Sequence, residues 1–314
     1  MSQGRYAFID IGTNTILCLI ADLGDGGDFC VMEDLAEITR LGEGVDRTGR
    51  ISPAGEQRSL EVLRHYLARC KALNVQGVIA VATSALRDAE NSALVRARLR
   101  ERLGLDARVI SGEEEAAYSF LAVRKGLDLA GRELLVIDIG GGSTEFIRGN
   151  EAGVFRAVSL NLGSVRLTEQ FFHSDPVRTE QCEKMIRVID HELAPLLHSW
   201  LTSGSALTLV GIAGTFTTLA AVEKKLLRHS HSEVHGSTLT LSEVRRQADL
   251  FRSKTIAERK AIPGLEPKRA DVILAGACLI ERIMTLIQAE QLIVSDQGVR
   301  YGLLHERLLQ RKNC

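Results

Sequence analysis

Three short segments carry the residue types that hold phosphate: Asp10 to Thr15, Asp138 to Thr144, and Gly211 to Thr218. Glycine lets backbone N–H groups approach an anion closely, and the hydroxyls of Thr and Ser add donors. The residues so marked are Gly12, Thr13, Asn14 and Thr15, then Gly140, Gly141, Gly142, Ser143 and Thr144, then Gly214 and Thr215. A carboxylate beside such donors repels phosphate unless a cation lies between, so Asp10 and Asp138 point to Mg²⁺. One glycine-rich turn proves little, but three of them, two in a repeated setting, favour a phosphate site. Neither common nucleotide fingerprint is present. No Gly-x-x-x-x-Gly-Lys-[Ser/Thr] occurs, and Gly140-Gly141-Gly142 lacks the third glycine of the dinucleotide motif.

Other groups invite chemistry less strongly. Glu113, Glu114 and Glu115 follow Ser111-Gly112, and three acids in a first helical turn are favoured by the helix dipole alone. His229, His231 and His235 suggest a metal, but they sit in a polar stretch with no acid at ligand spacing. They are therefore expected to be plain loop residues. Six scattered cysteines with no CxxC pair predict reduced thiols rather than a disulfide framework or a metal cage.

The elements that must position these residues follow from the apolar pattern. Tyr6–Ile9 is a strand-like run that ends in the first polar turn, and Ile16–Ala21 runs back from it, which makes a hairpin. Leu134–Ile137, the second turn, and Glu145–Ile147 repeat the device. Asp-Ile-Gly recurs at a separation of 128 residues, too long for a solenoid and suited to a duplicated domain. Ser52-Pro53 opens a helix with Leu60, Leu63, Tyr66, Leu67 and Cys70 at three- and four-residue spacing. Val78–Ala82 reads as a strand leading to a helix start near Thr83-Ser84. Val109-Ile110 is strand-like, and Ser111 stands three residues before Glu114, as in a capping box. Leu207–Ile212 is a strand running into the third phosphate segment, and residues 269–286 form an apolar-periodic helix. Strands alternating with helices predict an α/β fold with partly parallel sheets.

Length and charge limit the partners. A chain of 314 residues suggests about two domains. With 39 Lys+Arg against 40 Asp+Glu, it is neither a general nucleic-acid coat nor a polybasic membrane binder, so any anion must be held by local groups. The N-terminal residues do not resemble a signal peptide, and no apolar run approaches the ~18 residues of a membrane span, so the expected location is cytoplasmic.

Duplicated Asp-x-Gly hairpins with a late Gly-x-x-Gly-Thr strand resemble the actin/hexokinase/Hsp70 phosphotransferase superfamily. Within it, the segments 82–87, 111–116, 138–145, 162–167, 263–271 and 295–302 resemble, in order, motifs of the exopolyphosphatase/guanosine pentaphosphate phosphohydrolase family, in its short two-domain form. The resemblance implies two duplicated actin-like (ribonuclease H-like) α/β domains around an interdomain cleft. Residues 1–125 would form the first and 126–314 the second, with a C-terminal helix able to pack back on the first. Asp10 and Asp138 would then face one another across that cleft.

The resemblance also assigns roles. The glutamate directly before the alanine of the Gly-x-Glu-Glu-Ala motif is a general base, and it matches Glu115; Glu113 and Glu114 remain structural. The glutamate closing the glycine loop, Glu145, would lie near the water and would hold metal with Asp10 and Asp138. Arg87 and Arg269 are the cations placed near the phosphate chain, with salt bridges as the plain alternative. Asn161 and Ser164 fall in a motif near the cleft without a defined role. The implied activity is Mg²⁺-dependent removal of terminal phosphate from inorganic polyphosphate, with guanosine pentaphosphate a second candidate substrate, by a homodimer. The rivals are a kinase of the same superfamily and a non-catalytic alarmone-binding sensor.

Overall fold

The computed structural model describes residues 4–24, 27–201, 207–228 and 230–312. The chain divides into two compact units. One comprises residues up to 125 together with the segment from 298 onward, and the other is 126–297.

The first unit is built on a five-stranded sheet in the order β3-β2-β1-β4-β5. Its strands are β1 (Arg5–Ile11), β2 (Thr15–Leu23), β3 (Phe29–Ile38), β4 (Gly77–Ala82) and β5 (Ala107–Val109). The hairpin β1–β2 and the pair β2–β3 are antiparallel, while β1, β4 and β5 run parallel. Alternation along β1 sends Ile9 and Ile11 to one face and Phe8 to the other, so the sheet buries both faces. On the first face lies the helix Pro53–Ala72, with Leu60, Leu63, Tyr66 and Cys70 turned inward. Its start is fixed locally. Ser52 Oγ accepts from the Gly55 N–H at 3.1 Å, and Pro53 occupies the first turn, where its missing N–H costs nothing. On the other face, the C-terminal helix Val299–Lys312 joins Phe8, Leu19 and Ile110 through Val299, Tyr301 and Leu304. Arg300 fastens it by two bonds to Asp34 of β3, at 2.8 and 2.9 Å, and Tyr301 adds a third at 3.0 Å.

The second unit repeats the topology. Its sheet runs β10-β11-β9-β6-β7-β8. The strands are β6 (Glu133–Ile139), β7 (Thr144–Asn150), β8 (Gly153–Leu160), β9 (Leu207–Ile212), β10 (Thr238–Thr240) and β11 (Gln291–Val294). The order β8-β7-β6-β9-β11 matches β3-β2-β1-β4-β5, with the antiparallel and parallel pairs in the same places. The short antiparallel β10 is an addition. A core led by Leu135, Ile137, Phe146, Met185, Trp200 and Phe216 sits under the helices Thr179–Leu201 and Ile273–Leu286. The helix expected over 269–286 begins only at Ile273. Glu266 caps a single 3-10 turn at Pro267–Arg269, and the chain then turns before the helix proper.

Candidate active site

In both units the parallel strands end on one edge of the sheet, where turns into the next element leave backbone groups and polar side chains for a ligand. In the first unit β1 ends in the Asp10–Thr15 turn, β4 runs into Thr83–Arg87, and β5 into Ser111–Glu115. In the second, β6 ends in Asp138–Thr144, and β9 runs into Ala213–Thr218. Sheet order therefore gathers the expected residues of each unit, although they are far apart in sequence.

The two hairpin turns close identically. Gly12 N–H donates to Thr15 O at 3.1 Å, and Gly140 N–H to Ser143 O at 3.0 Å. Asn14 is buried, and neither atom of its carboxamide has a hydrogen-bond partner among the described residues. A buried amide left unsatisfied is costly, which suits a group that meets a ligand. The hairpins differ at one position. Asp138 pairs directly with Glu145 across β6–β7, whereas Asp10 pairs with Leu17 across β1–β2. Residues directly opposite share a face of the sheet, so the second hairpin presents two carboxylates where the first presents one. Glu145 is buried, and its Oε1 accepts from Ser159 Oγ at 2.7 Å.

The second glycine turn is held from behind by the helix Ser164–Phe171. Gly140 O accepts from Ser164 N–H at 3.0 Å, Gly141 O from Val165 and Arg166 N–H at 2.9 and 3.1 Å, and Gly142 O from Arg166 Nε at 2.8 Å. In a planar trans peptide the N–H points opposite the carbonyl. With these carbonyls turned to the helix, the N–H groups of Gly141, Gly142 and Ser143 face away from it. Ser164 thus lies against the back of the turn. Gly163 and Arg166 fall in the motif segment 162–167 but have no role legible from the sequence, and Ser159 carries no signal there, because their partners lie on other elements.

The capping box sorts the three glutamates. Ser111 N–H donates to Glu114 Oε2 at 2.9 Å, and Glu114 N–H to Ser111 Oγ at 3.1 Å, so the helix Gly112–Gly126 starts where expected. Glu114 also pairs with Arg108, and the bond from Ser111 N–H, followed by that pair, holds its carboxyl below the usual range. Glu113 is exposed. Glu115, a further 100° round the helix, is buried and accepts from Arg87 Nη1 at 2.9 Å. The same Nη1 donates to Ile110 O at 3.3 Å. Arg87, expected as a phosphate ligand or a salt bridge, makes the salt bridge.

At the third segment, Ala213 has φ 72° and ψ 179°, a region almost reserved for glycine and a form of backbone strain typical of ligand loops. Thr215 and Thr218 are buried, and Thr218 Oγ1 donates to Gly214 O at 2.6 Å. A Cβ on Gly214 would lie 2.3 Å from both terminal nitrogens of Arg269, so only glycine lets this guanidinium cover the start of the helix Gly214–Glu223. The structure thus brings Arg269 to Gly214. Burial pulls the guanidinium below its ordinary pKa, with Glu266 opposing.

The histidines depart from expectation. His229 lies outside the described residues, but His231 and His235 both meet an acid, Asp296, that no local spacing reveals. Cys18, Cys30, Cys70, Cys182 and Cys278 are free thiols; Cys314 lies outside the described residues. Among the described residues no helix is long and apolar enough to cross a membrane.

Comparison with known proteins agrees with this geometry. Residues 19–311 match the model of the Ppx/GppA phosphatase family. The chain is 35% identical to Exopolyphosphatase 2 of Mycobacterium tuberculosis, over 96% of this chain and 98% of that one. It is 29% identical to a guanosine-5'-triphosphate,3'-diphosphate pyrophosphatase of Vibrio atlanticus, over 98% of this chain and 60% of that longer one. The crystal structure of an exopolyphosphatase from Cytophaga hutchinsonii superposes with a TM-score of 0.90 at 30% identity, covering 98% of each chain. With two actin-like α/β units of repeated topology and a match along nearly its whole length, the chain belongs to the Ppx/GppA phosphatase family.

Proposed function

We propose that the chain is an exopolyphosphatase that hydrolyses the terminal phosphoanhydride of inorganic polyphosphate, with guanosine pentaphosphate as a second substrate. The observation that carries the reading is the sorting of the Glu113–Glu115 cluster. One glutamate is exposed and one caps the helix. Only Glu115 is buried at the ligand-bearing strand edge with an arginine holding it in place. Glu115 takes a proton from water, the water oxygen attacks the terminal phosphorus in line, and the anhydride bond breaks. Orthophosphate and a chain one unit shorter leave. The N–H groups of the glycine turns, with Thr13, Asn14, Thr15, Ser143, Thr144 and Thr215, hold the phosphoryl oxygens, and Arg269 adds charge.

Asp138 and Glu145, paired on one sheet face, are a hard-oxygen donor set that fits Mg²⁺, and Asp10 is the third carboxylate assigned to it. When bound, the ion neutralises charge developing on the transferred phosphoryl group. A cytoplasmic setting and a homodimer belong to the same reading and rest on the family resemblance. The decisive assay is orthophosphate release from polyphosphate with Mg²⁺, run beside ATP with a panel of sugars. Release confirms the hydrolase. Stoichiometric phosphorylation of an acceptor replaces it with the kinase, and inertness toward both favours the sensor.

Glu145→Ala should weaken Mg²⁺ activation by at least about tenfold and recover part of its turnover at raised Mg²⁺. A titration of kcat against Mg²⁺ checks this, and a wild type indifferent to Mg²⁺ removes the metal from the mechanism.

Long polyphosphate offers many charges to local cations, whereas guanosine pentaphosphate offers a short tail. Residues 221–271 carry eleven Lys/Arg against seven Asp/Glu. Part of that surplus is already spent. Arg246 pairs with Glu243, Arg252 with Asp249 and Arg245 with Glu281, while Arg259 is buried on backbone carbonyls. KM for long polyphosphate should therefore rise more steeply with ionic strength than KM for guanosine pentaphosphate, and Arg269→Ala should flatten that slope. Equal slopes for both substrates, together with an Arg269→Ala effect independent of chain length, would leave recognition to the glycine-rich turns alone.

A further inference from the structure

Beyond the phosphate-binding turns, the second unit holds a convergent set of nitrogen and oxygen donors. His231 and His235 stand four residues apart across one helical turn, His231–Val234, and their rings stack with centroids 4.9 Å apart and planes 15° from parallel. Each directs Nδ1 at a different oxygen of one carboxylate. His231 Nδ1 lies 2.7 Å from Asp296 Oδ2, and His235 Nδ1 lies 3.2 Å from Asp296 Oδ1. The three donor atoms fall within 4.8 Å of one another, and this is the sole such trio of His, Cys, Asp or Glu among the described residues.

The backbone fixes the set. Asp296 follows β11, whose ladder is continued by Ser295 N–H donating to Gly211 O at 2.9 Å. His235 is held by its neighbour Gly236, whose N–H donates to Val294 O at 2.8 Å, and by its own N–H to His231 O at 2.8 Å. On the far side of the ring, His235 Nε2 is 2.9 Å from Gly126 O, the carbonyl of the last residue of the helix Gly112–Gly126. A carbonyl only accepts, so Nε2 carries the ring proton, and in the neutral ring Nδ1 presents its lone pair toward Asp296. Metal-binding histidines characteristically have this outer hydrogen bond, which orients the ring and raises its basicity.

In the neutral ring the Nδ1 lone pair of His235 faces the carboxylate, and that contact is favourable only with positive charge between the two groups. A proton on Nδ1 would supply it by making His235 an imidazolium stacked on the His231 ring. A single cation shared by all three groups supplies it as well, with His231 turning its own Nδ1 lone pair to the ion. Tetrahedral coordination at ~2.0–2.1 Å places ligand atoms about 3.3 Å apart. His235 and Asp296 are already 3.2 Å apart, whereas His231, 2.7 Å from Asp296, would draw back by about 0.6 Å to admit the ion. Two imidazoles and one carboxylate suit a borderline transition-metal ion, whereas Mg²⁺ takes all-oxygen sets. Asp296 is buried and His235 half-buried, but the His231 side chain is 52% exposed, so ion and water can reach the site.

We infer that His231, His235 and Asp296 form a binding site for a divalent transition-metal ion of the Zn²⁺ class, chemically distinct from the carboxylate set assigned to Mg²⁺. The bound ion would tie the beginning of the second unit, at Gly126, to its end, at Asp296. This inference does not depend on the proposed hydrolysis, and it is tested without an activity assay. The full chain, stripped of metal by chelation, is dialysed against Zn²⁺ in excess Mg²⁺, and bound zinc is counted by elemental analysis. Co²⁺ in place of Zn²⁺ reports the ligands through its absorption spectrum. The expected result is one Zn²⁺ per chain, a Co²⁺ spectrum without thiolate charge-transfer bands, and a loss of affinity exceeding about tenfold in both His231→Ala and Asp296→Asn. The first variant changes a half-exposed side chain and the second is isosteric, so circular dichroism should show both folded. Absence of stoichiometric zinc, a thiolate band, or full affinity in either folded variant overturns the site and leaves a hydrogen-bonded tie only.

Discussion

Glu115→Gln is expected to lower kcat by about 10²–10⁴ while leaving the fold intact, because that is the usual worth of a positioned general base. Glutamine keeps the shape of the side chain and still offers an oxygen to Arg87, whose Nη1 now lies 2.9 Å from the carboxylate. The loss is therefore one of proton acceptance, not of packing. Substrate binding should persist and tighten, since one negative charge facing a polyanion is gone. Steady-state kinetics on polyphosphate separate the two effects: kcat falls while KM stays level or drops. Wild-type turnover in a folded Glu115→Gln chain would remove this residue from the role. Glu113→Gln is the control and should be near wild type, because Glu113 is exposed.

Gly163→Ala should cost about 10²-fold in kcat/KM and about 1–3 kcal/mol of stability, although no reacting group is touched. A Cβ at this position would lie 2.3 Å from Gly141 O, 2.4 Å from Gly141 C and 2.5 Å from Gly142 N. All three are backbone atoms, so no side chain can swing away. Either the helix Ser164–Phe171 retreats or the glycine turn shifts. Both break the bonds from Ser164, Val165 and Arg166 that turn the loop carbonyls toward the helix. The N–H groups on the other side then lose the orientation that the proposed phosphate contacts need. Gly298→Ala is the matched control. A Cβ there meets nothing within 4 Å and the backbone is not in the left-handed region, so the substitution should be close to neutral. Thermal unfolding with kinetics on both variants checks the pair. Equal activity in Gly163→Ala and Gly298→Ala would show that the close approach does not govern the turn.

Local features were legible in the sequence because neighbouring residues decide them. The Ser52 cap, the Ser111–Glu114 capping box and the two Asp-Ile-Gly hairpins each depend on atoms within three or four positions, which backbone geometry brings together without help. The duplicated α/β organisation was equally legible, since recurrence and strand–helix alternation are properties of the string itself. Edge strands were not. β3 and β8 lack a clean apolar alternation, and they are strands because β2 and β7 offer them a hydrogen-bonding edge. Partnerships across the sheet were also hidden. Arg87 reaches Glu115 because β4 and β5 end side by side, and Arg269 covers Gly214 because a 3-10 turn far along the chain folds over the end of β9. The histidines show the limit most directly. From the sequence they had no acid within ligand spacing, yet the pairing of β10 with β11 sets Asp296 beside them. Residue types and local spacing determined which chemistry this chain could carry. Which carboxylate is buried, which arginine holds it and which acid meets a histidine were decided by strand order, because only the assembled sheet brings strand ends from distant parts of the chain to one edge.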